Sequence, residues 1–249
     1  MQYRALIFDL DGTATPDASD SRPSQAVIAA VGTAMKSFKV AAATGRSWAF
    51  AKPVIEALGL TDPCVVGGGS LIVSPKDEKI VWQALMEQEA VAGMLAVLRE
   101  RPYRVAISSG LEQGAAMTPA DIEATGSMNI LYVIAVEPEE AEGLRAVLQA
   151  CGPIAVAKAH SWGNPGRVDL HVTPLAATKE QGVRKLCELL GAKQEEVIGI
   201  GDGYNDAQLF NAVGYRVAMG NSVPELKVLA DKIIGPIEED GLATFLNQL

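Results

Sequence analysis

The chain has 249 residues, 49% of them hydrophobic, and a formal net charge of −9. Such a chain folds into one or two globular domains and buries about 70–75% of its unfolded surface, which excludes disordered and fibrous classes. Lysines and arginines are scattered without a basic block, which argues against nucleic acid as a partner. No apolar stretch approaches the ~18 residues of a membrane span, and the N-terminus shows no charged leader, so the expected location is the cytoplasm, away from a membrane.

Tyr3 to Leu10 is a nearly continuous apolar run, the pattern of a central strand covered on both faces. Ser24 to Met35 reads as a helix, Phe38 to Ala43 as a second buried strand, and Ser47 to Leu58 as a second helix. Cys64 to Gly67 is a third strand closed by Gly67-Gly68-Gly69, with Leu71 to Val73 and Ile80 to Trp82 as a hairpin beyond it. This β-α-β-α-β alternation predicts a parallel sheet with helices on both faces.

The pattern then changes. Val91, Met94, Leu95 and Leu98 share one helical face, as do Leu144, Val147 and Leu148. Strands are expected at Arg104 to Ser108, Ile130 to Val136, Ile154 to Ala157 and Arg167 to Thr173. The last alternates Val168, Leu170 and Val172 with Asp169 and His171, as in a sheet with one face toward water. From Thr178 the first pattern resumes: a helix to Leu190, a strand Val197 to Ile200, a helix Asn205 to Val213, strands at Arg216 to Met219 and Lys232 to Ile234, and a final helix. The expected fold is therefore α/β, a doubly wound parallel-sheet (Rossmann-like) core of residues 1–82 and 175–249, interrupted by an α+β domain of residues 83–174.

Four features carry possible chemistry. Asp9 and Asp11 lie two apart at the end of the first strand and would face one space. Paired carboxylates repel unless a proton or cation separates them, although Asp and Gly also end strands for turn chemistry alone. Thr44-Gly45-Arg46 follows the second strand and could bind a phosphate oxygen or be an ordinary loop. Thr178 and Gln181 have capping-box spacing, which puts Lys179 at the first helical position, where a cation opposes the macrodipole unless an anion sits nearby. Gly201-Asp202-Gly203-Tyr204-Asn205-Asp206 ends an apolar strand, with glycines that admit close backbone approach. In an open α/β sheet ligands bind beyond the carboxyl ends of the strands, so these features converge on one crevice. Cys64, Cys151 and Cys187 show no metal or disulfide spacing, and with only His160 and His171 available a metal would be held by oxygen, which favours a hard cation such as Mg²⁺.

These motifs, in this order, resemble the haloacid dehalogenase-like hydrolase superfamily across the whole core. The resemblance implies that Asp9 is the nucleophile, forming an aspartyl phosphate, and that Asp11 is the general acid and base. It implies Mg²⁺ held by Asp9, Asp202 and the Asp11 carbonyl, with Asp206 as ligand or anchor, and phosphate held by Thr44, Gly45, Lys179 and Asn205. The insert resembles the type-2 cap of the Cof-like (type IIB) sugar-phosphatase branch, as do Ala218-Met219-Gly220-Asn221-Ser222 and Pro224-Glu225-Leu226-Lys227. The expected activity is Mg²⁺-dependent hydrolysis of a small phosphorylated metabolite, a sugar phosphate or a phosphoglycolate-like ester, by a monomer or homodimer. A phosphomutase and a non-catalytic metabolite-binding protein are the alternatives. Arg46 and the loop 158–167, with His160, Trp162, Asn164 and Arg167, are the candidate readers of the leaving group.

Overall fold

The computed structural model describes residues 3–18, 20–122 and 128–249. The first strand, β1 (Ala5–Phe8), is buried at every position, as a strand with neighbours on both sides and helices on both faces must be. It leads through α1 (Gln25–Ala34), β2 (Lys39–Ala42) and α2 (Trp48–Ala57) to β3 (Cys64–Val66) and the hairpin strands β4 (Leu71–Ser74) and β5 (Lys79–Gln83). The middle of the chain forms α3 (Gln88–Arg99), β6 (Arg104–Ser109), β7 (Glu112–Gln113), β8 (Ile130–Val136), α4 (Pro138–Gln149), β9 (Ile154–His160) and β10 (Val168–Pro174). The last third is α5 (Lys179–Leu190), β11 (Val197–Gly201), α6 (Asp206–Phe210), β12 (Tyr215–Ala218), α7 (Pro224–Leu229), β13 (Lys232–Ile233) and α8 (Gly241–Leu246). Among the described residues no helix is long and apolar enough to cross a membrane.

The first sheet is parallel, in the order β13-β12-β11-β1-β2. The third strand continues its edge through a single bridge, Ala43 to Val65, beside which Thr44 N donates to Val65 O at 3.0 Å. From β1 the chain winds outward through β2 and returns on the other side at β11. That reversal opens a crevice between the carboxyl ends of β1 and β11.

A second, antiparallel sheet, β7-β6-β8-β10-β9, is inserted between β5 and α5. Its hydrophobic cluster lies under α3 and α4 and is separate from that of the parallel sheet. Val168, Leu170 and Val172 point into this cluster, as their alternation requires. The opposite face departs from the sequence reading, which directs it toward water. Asp169 and His171 line an internal cavity instead, because this sheet closes over the carboxyl ends of the parallel strands. A small apolar group on the same face, Ala106, Ile130 and Tyr132, completes the contact.

Three local expectations differ from the structure. The two-residue β7 escapes any periodicity argument. The helix α6 ends at Phe210 rather than near Val213, since the chain must turn there for Gly214 N to reach Val197 O at 3.1 Å. Thr178 is the N-cap of α5, but its side chain makes no capping hydrogen bond. At the first position of the helix the Lys179 N–H donates to Gln208 Oε1 at 3.0 Å.

The placement of α5 depends on two glycines. Gly69, at φ +114°, passes so close to the helix start that a Cβ would fall 2.1 Å from Thr178 O, and a Cβ on Gly182 would lie 2.7 Å from Gly69 O. Backbone therefore meets backbone where α5 crosses the Gly67–Gly69 turn. Ala normally stabilises a helix interior over Gly, by about 0.5–1 kcal/mol. Gly182→Ala is expected to do the reverse and destabilise by about 1–3 kcal/mol through overpacking. At Gly143 in α4 a Cβ meets nothing within 4 Å, so Gly143→Ala is expected to stabilise, and denaturant unfolding of the two variants checks the opposite signs.

Candidate active site

Asp9 follows β1 directly, its N–H still donating to Ile200 O at 2.9 Å, and its side chain is buried. Across the crevice Asp202 follows β11. The turn between Asp9 and the next loop brings Gly12 against Asp202; a Cβ there would stand 2.1 Å from Asp202 Oδ2, and φ is +70°. Thr13 Oγ1 donates to Asp202 Oδ1 at 2.8 Å, and Asn221 Nδ2 donates to Gly12 O at 2.8 Å, so the two strand ends are tied to each other.

Lys179 reaches this point because it belongs to the buried stripe of α5, with Gly182, Val183, Leu186 and Cys187. Its ammonium, 1% exposed, donates to Asp9 Oδ1 at 2.7 Å and to Asp206 Oδ1 at 2.5 Å. Asp206 Oδ2 accepts from the N–H groups of Asp202 and Gly203, both at 2.9 Å. Asp206 thus anchors the lysine and the Gly201–Gly203 turn together.

Charge is unbalanced here. Asp9, Asp202 and Asp206 each present an oxygen within 4.8 Å of the others, and Lys179 supplies a single positive charge among them. Burial, with Asp206 and Asp11 adding to it, pushes the Asp9 carboxyl up to about 8 against the opposing pull of Lys179. Burial and then the charges of Asp206 and Asp9 hold Asp202 well above the usual carboxylate range. Burial disfavours the Lys179 ammonium, but the two carboxylates outweigh it and raise its pKa. An all-oxygen cluster with surplus negative charge is a donor set suited to a hard divalent cation.

Asp11 does not join that cluster with its carboxylate. Arg46 holds it, Nε donating to Oδ2 at 3.0 Å and Nη2 to Oδ1 at 2.5 Å. Burial raises the Asp11 pKa, and the hydrogen bond and charge of Arg46 oppose the rise. Asp9 and Asp11 nevertheless line one cavity of about 400 Å³ between the parallel sheet and the inserted sheet. Gly45, Arg46, Asn205 and His160 line it too. Thr44 is fully buried beside it, its Oγ1 accepting from Arg46 N at 3.1 Å. His160 faces Asp17 with Nδ1 3.5 Å from Oδ2, and that carboxylate raises its pKa. Arg167 is a correction: it pairs with Glu137 and with Ala135 O at 3.0 Å, within the inserted segment and off the cavity wall.

Sequence reasoning missed the groups that the inserted sheet brings down onto the Thr44-Gly45-Arg46 turn. Tyr132 donates its hydroxyl to Gly45 O at 3.0 Å, and its ring meets His171 edge-on at 4.9 Å. His171 packs against Gly45, where a Cβ would lie 2.6 Å from its Cε1. The signal was present in the β10 alternation, but alternation names a face without naming what covers it.

A profile of haloacid dehalogenase-like hydrolases matches residues 6–125 and 118–246. The chain belongs to the haloacid dehalogenase-like hydrolase family. Within it, a phosphoglycolate phosphatase of Methanopyrus kandleri is 28% identical over 245 residues, covering 98% of this chain and 96% of its own. An HMP-PP phosphatase of Serratia proteamaculans is 26% identical over 271 residues, covering 98% of this chain and 94% of its own. Among solved structures, the subclass IIB sugar phosphatase BT4131 superposes with a TM-score of 0.81 at 22% identity over 98% of both chains. The fold is that of a haloacid dehalogenase-like enzyme of the Cof-like branch, and the chain is an enzyme of its phosphatase class.

His171 offers a stability test of the closed arrangement. Burial, reinforced by the Lys179 charge, pushes its pKa down to about 4 from an ordinary 6.5. The unfolded chain therefore binds a proton that the folded chain refuses, so this contribution is intact above pH ~6.5 and is lost as pH falls toward 4. The wild-type melting temperature is expected to fall relative to that of His171→Gln as pH drops from 7 to 5, measured by thermal denaturation at both values.

Proposed function

We propose that the chain is a Mg²⁺-dependent phosphomonoester hydrolase of small phosphorylated metabolites, acting through an aspartyl phosphate on Asp9, with residues 83–174 as its cap. The observation that carries this reading is the Lys179 ammonium between Asp9 and Asp206, with Asp202 beside them at the floor of the cavity. A phosphate dianion added to three carboxylates and one ammonium would be repelled. Bound Mg²⁺, held by Asp9, Asp202 and the Asp11 carbonyl with Asp206 as ligand or anchor, would supply the missing positive charge and polarise a phosphate oxygen.

Lys179 engages Asp9 Oδ1, which leaves Oδ2 to attack phosphorus. The Asp9–phosphorus bond forms as the bond to the ester oxygen breaks. Asp11 gives its proton to the departing alkoxide, then takes one from the water that attacks the aspartyl phosphate, releasing inorganic phosphate and restoring Asp9. Thr44, Gly45, Lys179 and Asn205 hold the phosphate. Arg46 sets the Asp11 carboxyl in place, and burial raises its pKa against the pull of that ion pair.

Asp9→Asn is expected to lower phosphate release by about a thousandfold or more, since the nucleophile is lost. Asp11→Asn separates the roles. It should cost about 10²–10⁴-fold with an alkyl phosphate, whose alkoxide needs a proton, and far less in the first step with p-nitrophenyl phosphate, whose phenolate leaves unaided. Single-turnover release of alcohol and phenolate measures both, and equal losses on the two esters would remove Asp11 from the acid role.

A further inference from the structure

The cavity above the carboxylates has a chemical character of its own. The walls contributed by the cap and by the start of α2 are apolar: Phe50, Ala106, Tyr132, Ile134, Ala159 and Trp162 all line it. Three of these are aromatic, and Phe50 and Trp162 meet edge to face with ring centroids 6.0 Å apart. One side of Trp162 is fixed by the Arg46 guanidinium, 4.6 Å from the ring centroid. Fixed aromatic walls select flat apolar groups, which bury area against them at little entropic cost.

Two of the polar groups along the same walls are carboxylates, which accept hydrogen bonds and repel anions. Asp17 and Asp169 both line the cavity. The Arg46 guanidinium, beyond its bonds to Asp11, donates to Ala18 O at 3.0 Å and to Phe50 O at 3.2 Å. His160 is turned toward Asp17. A carboxylate on the leaving group would therefore meet two carboxylates and cations already committed elsewhere. A polyol could bond Asp17 or Asp169 with one or two hydroxyls and would set the rest against alanine, isoleucine and aromatic carbon, a costly desolvation. Two polar atoms of its lining have no hydrogen-bond partner among the described residues: Ser47 Oγ, on a residue 1% exposed, and His171 Nδ1.

Resting on the phosphatase reading, we propose that the preferred substrate is the phosphate ester of an alcohol built on a flat apolar ring that bears an N–H donor and no carboxylate. The ring lies against Trp162 and Tyr132, and the donor is met by Asp17, Asp169 or Ser47 Oγ. Hydrolysis adds water across the phosphorus–oxygen bond and yields the ring alcohol and inorganic phosphate.

The test compares para-aminomethylbenzyl phosphate, a hexose phosphate and phosphoglycolate as substrates of the full chain with Mg²⁺ at neutral pH. The expected kcat/KM for the ring ester exceeds both others by about tenfold or more. Trp162→Ala is expected to raise KM for the ring ester by about tenfold with a smaller change in kcat, and Trp162→Phe to restore most of that loss. The phenylalanine variant keeps the comparison readable should the alanine protein fail to fold, since a KM near wild type in Trp162→Phe supports an aromatic wall. A higher kcat/KM for phosphoglycolate or the hexose phosphate, or a ring-ester KM unmoved by Trp162→Ala, overturns the proposal and leaves the phosphatase reading standing. Release of phosphate from none of the three overturns the phosphatase reading, and the proposal with it.

Discussion

A buried ammonium between two carboxylates organises this molecule. Lys179 can occupy that position only because α5 lies against the Gly67–Gly69 turn without an intervening side chain, so that the first residue of its apolar stripe points at the crevice. Burial works against the charge of the lysine, which the two carboxylates restore, and raises Asp9 against the pull of Lys179. Lys179 Nζ binds both side chains, and Asp206 passes the constraint on by holding the N–H groups of Asp202 and Gly203. Strand ends, helix start and glycine turns are thereby fixed relative to one another to within the length of a hydrogen bond.

The same logic joins the two sheets. Arg46 bonds Asp11 on one side and lies against Trp162 of the cap on the other. Tyr132 and His171 rest on Gly45, the residue before it. The Asp11 carboxyl and the Trp162 wall of the cavity thus share one guanidinium.

Much of the parallel sheet is legible from local pattern alone. Apolar runs such as Val197–Ile200 mark strands buried on both faces, and the rule that ligands collect at strand carboxyl ends brings Asp9, Asp202 and Lys179 to one crevice without any knowledge of distances. What the pattern omits is partnership between distant residues. Arg46 and Asp11 stand 35 positions apart, and no spacing announces their pairing. Thr178 has the sequence of a capping box, yet its side chain caps nothing, and Gln208 from another helix takes the first N–H of α5. In the cap, alternation along β10 separates Leu170 from His171 correctly but assigns the polar face to solvent, because the layer that covers it lies elsewhere in the sequence. His160 ends β9 and Arg167 precedes β10, and the second is held away from the cavity by Ala135 O and Glu137.

The central claim is that the carboxylate cluster carries more negative charge than Lys179 can balance and is completed by a divalent cation. Thermal unfolding with and without millimolar Mg²⁺ tests it without reference to turnover. The account predicts that Mg²⁺ raises the melting temperature of the wild-type protein, by an amount equivalent to about 2–3 kcal/mol at a hundred times the dissociation constant, and that Asp202→Asn abolishes most of that shift. A wild-type melting temperature indifferent to Mg²⁺, or an equal shift in Asp202→Asn, would contradict it.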